Sequence, residues 1–255
     1  MAVHSKDDAA KTWELINLVR SIKLMMSNKK LARIGGFLYL IIIATGMFAE
    51  LFVREALVVP GDVVATVQRI QASEMLYRWG FVPDLSNFIL GLPLLVIMYI
   101  LFKPVNKWLM LLAIFFAMIQ TAIISTNLVN QLSPLLLTGK QPYLANFRPE
   151  QLATLSQYTI RLQSMGYAIG LVFFGFYCLI IGYLIWKSTL VPKIFGILYV
   201  IAGVSYLVNS FTLFLSTGFA NPLFPYILVP AFIGEFSLAI WFVFKGVRDF
   251  EPPHR

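Results

Sequence analysis

Charge is scarce in this chain. Only 13% of its 255 residues are Asp, Glu, Lys or Arg, and 59% are hydrophobic. Water-soluble domains carry about 25% charged and about 45–50% apolar residues. That gap excludes an ordinary soluble fold and points to lipid as the solvent. Cysteine is scarcer still. Cys178 stands alone in an apolar run, so no disulfide can form within the chain. The two histidines, His4 and His254, lie in the two tails. Without a Cys/His cluster the usual zinc, haem and iron–sulfur sites have no ligands, and no cofactor is expected. No lysine interrupts the long apolar runs, which excludes a Schiff-base chromophore within them. No histidine does so either, so a Ser–His protease inside the membrane lacks its base. No glycine-rich phosphate loop is present. An enzyme is therefore the third choice, and only one that works on lipid with carboxylates alone.

What the chain does have is long apolar runs. Six are close to the ~20 residues needed to cross about 30 Å of hydrocarbon. They cover about 31–53, 81–102, 108–131, 164–186, 194–215 and 225–244. None alternates as a membrane β-barrel strand would. The expected fold is an all-α, polytopic bundle of six spans over residues 31–248. Residues 1–30 precede it as an N-terminal amphipathic segment, and 249–255 follow as a tail. The first run is too long and too far from the start to be a signal peptide's core, so it should stay as an anchor. Between about 8 and 26, Trp13, Ile16 and Val19 recur at helical spacing. This helix either lies on anionic lipid or simply flanks the first span.

Charge sets the expected orientation. Lys103-Pro-Val-Asn-Lys107 and Lys187-Ser-Thr-Leu-Val-Pro-Lys193 are short and purely basic, so they belong inside the cell. Fourteen of the 20 Lys and Arg fall on that side and six on the other. The formal charge of +8 is thus a positive-inside bias rather than a nucleic-acid footprint. Both termini are expected in the cytoplasm. On the outer side, Pro60-Gly61 reads as a turn, and Asp62 can cap an interfacial helix over 62–79. Glu74 and Arg78, four apart, can pair on it. The second outer connection, 138–163, reads as an irregular loop.

A weak repeat runs through the chain. Arg33-Ile-Gly-Gly-Phe-Leu-Tyr-Leu-Ile resembles Lys193-Ile-Phe-Gly-Ile-Leu-Tyr-Val-Ile. The even-numbered spans end alike, in Tyr99-Ile-Leu-Phe-Lys103, Tyr183-Leu-Ile-Trp-Lys187 and Trp241-Phe-Val-Phe-Lys245. Either the chain is three in–out–in hairpins, or each span end simply wants an aromatic belt residue followed by lysine.

Several of these stretches carry a family resemblance. Ala32-Arg-Ile-Gly-Gly-Phe-Leu-Tyr-Leu, Phe52-Val-Arg54, Gly61-Asp62, Ala72-Ser-Glu74, Phe173-Phe-Gly175 and Pro192-Lys-Ile-Phe-Gly-Ile-Leu, with Glu235 near the last span, resemble the uncharacterised bacterial membrane family known as domain of unknown function 4386. The resemblance covers roughly residues 30–248. It implies a protein of the bacterial inner membrane and supplies no activity.

The residue that asks most for an explanation is Glu235. It lies ten residues before Lys245, which puts it about 15 Å deep. A charge at a helix centre costs about 2.5–3.5 kcal/mol on insertion scales, so Glu235 should face the bundle interior or a wet cavity. It is either a site for a proton or cation or a hydrogen-bonded structural group. Its expected neighbours are Gly91, Pro93, Tyr177, Gly203 and Tyr206. Pro230 is expected to free a carbonyl in its helix, and Gly/Pro-interrupted spans point to midplane sites in transporters. Asn87 and Asn209 lie in the outer half, as further ligand candidates or as interhelical hydrogen bonds. Glu50, Arg54, Asp62, Glu74, Arg78 and Asp84 form an expected outer charge cluster. Gly166, Gly170, Gly175 and Gly182 mark a face of close helix packing. The best-supported function is binding or transport of a small molecule or ion through the Glu235 carboxyl. The alternative is a non-catalytic membrane protein that binds lipid, senses the envelope or serves as a partner subunit. Membrane lipid is the partner common to both.

Overall fold

Five of the six apolar runs form helices longer than the ~20 residues a bilayer requires, and the last, Tyr226–Phe244, has 19. The computed structural model describes residues 27–59, 61–139, 141–216 and 223–248. The expected N-terminal amphipathic helix and the C-terminal tail lie outside them. Among the described residues there is no strand. The helices are α1 (Asn28–Leu57), α2 (Val63–Ala72), α3 (Glu74–Phe102), α4 (Lys107–Thr138), α5 (Pro149–Lys187), α6 (Lys193–Leu215) and α7 (Val229–Phe244). All except α2 cross the bundle. A 3-10 turn, Tyr226–Leu228, leads into α7.

The spans pack in chain order, and the last returns to the first. Contacts run α1–α3, α3–α4, α4–α5, α5–α6, α6–α7 and α7–α1. Side chains from all six meet in one core, including Ala32, Met98, Met110, Ile181, Tyr199 and Leu238. The outside of the bundle is also apolar. Phe37, Ile89, Phe115, Ile194 and Val204 are exposed there. A surface of that kind is stable only against hydrocarbon. The chain is a multi-pass membrane protein.

Glycines set how closely the helices approach. A Cβ added to Gly182 would stand 2.7 Å from the carbonyl oxygen of Gly196, and one added to Gly196 would stand 2.7 Å from that of Gly182. Two turns away, Gly203 meets the Gly175 carbonyl at the same 2.7 Å. The α5–α6 crossing is therefore backbone against backbone, as small residues permit in lipid. The other glycines of this face serve a different neighbour. Gly166 receives Asn127 and Gly170 receives Ile124, both from α4. Gly36 of α1 packs against the backbone of α7 at Ala239 and Val243.

Two sequence expectations need correction at the α2 end. The helix capped by Asp62 is shorter than predicted. Asp62 Oδ1 accepts from the Ala65 N–H at 2.9 Å, but the helix stops at Ala72. Ser73, at φ −125° and ψ 41°, breaks the path, and Glu74–Trp79 belongs to the span helix α3. The second connection is mostly helical rather than irregular. Pro149 occupies the first turn of α5, where a missing N–H is harmless. The Arg148 N–H is satisfied by Gln151 Oε1 at 2.9 Å. At 39 residues, α5 extends about 58 Å, well past the hydrocarbon. Its protruding turns and the end of α4 support α2. Ile70 and Thr66 of α2 are fully buried, and Ile70 packs with Val53, Leu57 and Tyr77.

At the opposite end, Gly246 lies against Lys29, and Arg33 Nη2 reaches the Phe244 carbonyl at 3.5 Å. The start of the first span and the end of the last share one side, as an even number of spans requires. Lysines there cover aromatic rings. Lys103 lies over Tyr99 at 5.2 Å, Lys187 over Tyr183 at 5.9 Å and Lys193 over Trp186 at 5.4 Å.

Candidate functional site

The packed face of α7 consists of Ala231, Gly234, Glu235, Leu238, Ala239 and Phe242. These positions recur every three or four residues, one stripe of a helix. Glu235 lies on that stripe and is 8% exposed. Gly234 beside it admits the Leu198 carbonyl of α6, 2.8 Å from where a Cβ would be. So α7 sits close enough to α6 for tyrosines to reach the carboxyl.

Both carboxyl oxygens are held by hydroxyls. Tyr39 of α1 donates to Oε2 at 2.6 Å, and Tyr206 of α6 donates to Oε1. The Tyr39 hydroxyl also lies 2.6 Å from that of Tyr199 on α6. A phenol has one proton to give. With Tyr39 donating to the carboxylate, Tyr199 must donate to Tyr39. The result is a chain Tyr199–Tyr39–Glu235–Tyr206 in the bundle interior. Among the described residues no basic side chain forms an ion pair with Glu235. Each hydroxyl can both donate and accept, so the direction of the Tyr199–Tyr39 link can reverse if the carboxyl gains a proton.

Of the expected neighbours only Tyr206 touches the carboxyl. Tyr177 is buried one ring away; it stacks on Phe174 at 5.5 Å, and Phe174 meets Tyr206 edge-on at 5.2 Å. Gly203 does not make room for Glu235, because it faces Gly175. Gly91 has open space around it and Pro93 is exposed, so α3 turns both away from the site. Pro230 lies in the first turn of α7 and interrupts no helix. Asn87 pairs with Thr45 at 2.5 Å and ties α3 to α1. Asn209 is buried on α6. Tyr39 and Tyr199 were not singled out by sequence reasoning. The signal for them was the repeat, since each is the tyrosine of one Gly-x-Leu-Tyr copy.

The expected charge cluster separates into three pieces. Asp62 is a helix cap. Glu74 and Arg78 form a half-exposed pair at 2.7 Å. Glu50, Arg54 and Asp84 form the third piece, deeper in the bundle. Arg54 Nε meets Glu50 Oε2 at 2.5 Å, and Nη1 meets Asp84 Oδ2 at 2.6 Å. Gln131 Nε2 adds a bond to Asp84 at 3.1 Å, and the Tyr77 hydroxyl donates to the Gln131 carbonyl at 2.6 Å. Glu50 and Arg54 lie in a π-helical stretch, Ala49–Arg54, in the last turns of α1. Such widened turns recur at functional sites.

Comparison with known proteins gives a family without an activity. The family described as Domain of unknown function (DUF4386) matches residues 34–246. An uncharacterized protein of Archaeoglobus fulgidus is 28% identical over 161 residues, which cover 62% of this chain and 78% of that protein. No solved structure matches.

Proposed function

We propose that this chain, which belongs to the DUF4386 family, binds a proton or small cation at Glu235 as part of small-molecule or ion transport. One observation carries the reading. A carboxyl sits inside a membrane bundle with hydroxyl partners and no basic counter-ion among the described residues. An ionisable side chain in that position is costly, and charges at such depth mark ion and proton paths. The tyrosine chain supports it by offering a reversible hydrogen-bonded route away from the carboxyl. The charges at Glu50, Arg54 and Asp84 fit the outer end of such a path. The alternative, a lipid-binding, sensing or partner-subunit role, is favoured if Glu235 never changes its protonation.

Infrared difference spectroscopy on protein in lipid nanodiscs separates the two. A carboxyl band should appear and vanish as pH is cycled in the wild type and be missing in Glu235→Gln. A band that is identical in both, or that never responds to pH, supports the non-transport role.

The location that fits is a bacterial inner membrane, with both ends cytoplasmic. It is supported by the basic connections at Lys103–Lys107 and Lys187–Lys193 and by the shared side of Lys29 and Gly246. Reporter fusions at residues 1 and 255 should both be active as cytoplasmic reporters. Periplasmic activity at either end contradicts this orientation.

A further inference from the structure

At the end of the bundle away from α2, we infer a binding site for a phosphate-bearing anion. It is built by Lys29, Trp241, Lys245 and Arg248. These residues, with Gly246 and Val247, line a cleft of about 550 Å³, within the usual range of ligand sites. Among the described residues the lining carries three cationic side chains and no carboxylate.

The cleft is shaped by the backbone and does not depend on chance side-chain placement. Gly246 has φ 69°, a left-handed conformation that suits glycine at a helix end. Its N–H bonds to the carbonyls of Trp241 and Phe242 at 3.1 and 3.0 Å, which closes α7. The chain then turns back, and the Arg248 N–H bonds to the Leu190 carbonyl at 3.0 Å. A Cβ on Gly246 would collide with Lys29, at 2.7 Å from Cγ and 3.0 Å from the carbonyl oxygen. Glycine thus holds the first and last spans together at the cleft.

Trp241 forms one wall of the cleft. The ring is fixed against Phe195 at 5.2 Å. The corresponding lysines at the ends of the second and fourth spans, Lys103 and Lys187, lie over the aromatic ring four residues before them. Among the described residues Lys245 makes no such contact with Trp241 and lines the cleft instead. Three cations around one cleft suit phosphate oxygens. The phosphate can belong to an anionic lipid, since the cleft lies at the end of the first and last spans, or to a soluble anion.

The test uses the full chain in phosphatidylcholine nanodiscs. Inorganic phosphate is titrated by calorimetry, and in a second arm retention of phosphatidylglycerol is measured by native mass spectrometry. Lys245→Ala/Arg248→Ala should weaken whichever binding occurs at least tenfold, the scale of one hydrogen bond to a charge. The control, Lys103→Ala/Lys107→Ala, removes two cations from the same end and should change little. A saturable phosphate signal assigns a soluble anion; retention of phosphatidylglycerol alone assigns a lipid headgroup. No binding in either arm overturns the site, as does equal weakening in the control pair, which would show general surface charge. If the double variant does not fold, Arg248→Ala, an exposed position, carries the same comparison.

Discussion

Gly182→Leu should yield no monodisperse protein in mild detergent. The first added carbon would already stand 2.7 Å from the Gly196 carbonyl oxygen and 2.9 Å from the Val200 nitrogen. Both are backbone atoms, which cannot turn aside as a side-chain end can. Even Gly182→Ala must push α5 and α6 apart, with a loss of about 1–3 kcal/mol typical of overpacking. Leucine adds three further carbons at the same point. Gly91→Ala is the matched reference. Nothing lies within 4 Å of its added carbon, and alanine in a helix interior gains about 0.8–1 kcal/mol over glycine. Thermal unfolding of the three proteins in one detergent checks the order. A Gly182→Ala protein as stable as wild type would show that the α5–α6 crossing is looser than described.

Glu235→Leu should be the most damaging change at the candidate site. It removes the acceptor for both Tyr39 and Tyr206. Tyr39 can turn its proton to Tyr199, but the Tyr206 hydroxyl is left without a partner, which costs about 1–3 kcal/mol. Glu235→Gln keeps one acceptor oxygen and offers an N–H to the other hydroxyl, so it should stay within about 1–2 kcal/mol of wild type. The decisive comparison is the double variant Glu235→Leu/Tyr206→Phe, which leaves the Tyr39–Tyr199 pair in place. Removing both sides of a hydrogen bond is far cheaper than removing one, so the double variant should be more stable than Glu235→Leu alone. If the two unfold alike, the Tyr206 hydroxyl does not depend on the carboxyl, and the site as described is wrong. The same double variant should also lack the pH-responsive carboxyl band.

How much of this was readable beforehand depends on which physical force wrote the signal. The six spans were legible because the bilayer demands about 20 apolar residues in each. The shared side of the first and last span ends follows from that even number. The aromatic–lysine endings followed from the interface, and two of the three form cation–π pairs in place. The Asp62 cap was legible from its own side chain and the turn before it. Past the bilayer the signal weakened. The stretch from Pro149 to Gln163 reads as a polar connection because it is not apolar, yet it continues α5 in water against α2.

The site itself was half legible. Glu235 stood out because a carboxylate deep in an apolar run is expensive wherever it points. Its true partners did not stand out. Tyr39 and Tyr199 lie 160 residues apart, and only the faint repeat links them. Gly91 and Pro93 carried the better-known transporter signal and face away from the carboxyl. In water, the inner face of a helix is apolar and the outer face polar, so sequence period reports which way a residue turns. In lipid both faces are apolar, and the period loses that information. Composition alone therefore determined that this chain crosses a membrane six times and carries one costly carboxyl at depth. The rotation of each helix, which brought Tyr39, Tyr199 and Tyr206 to that carboxyl, was decided only by packing, where glycines let two backbones touch and larger side chains keep them apart.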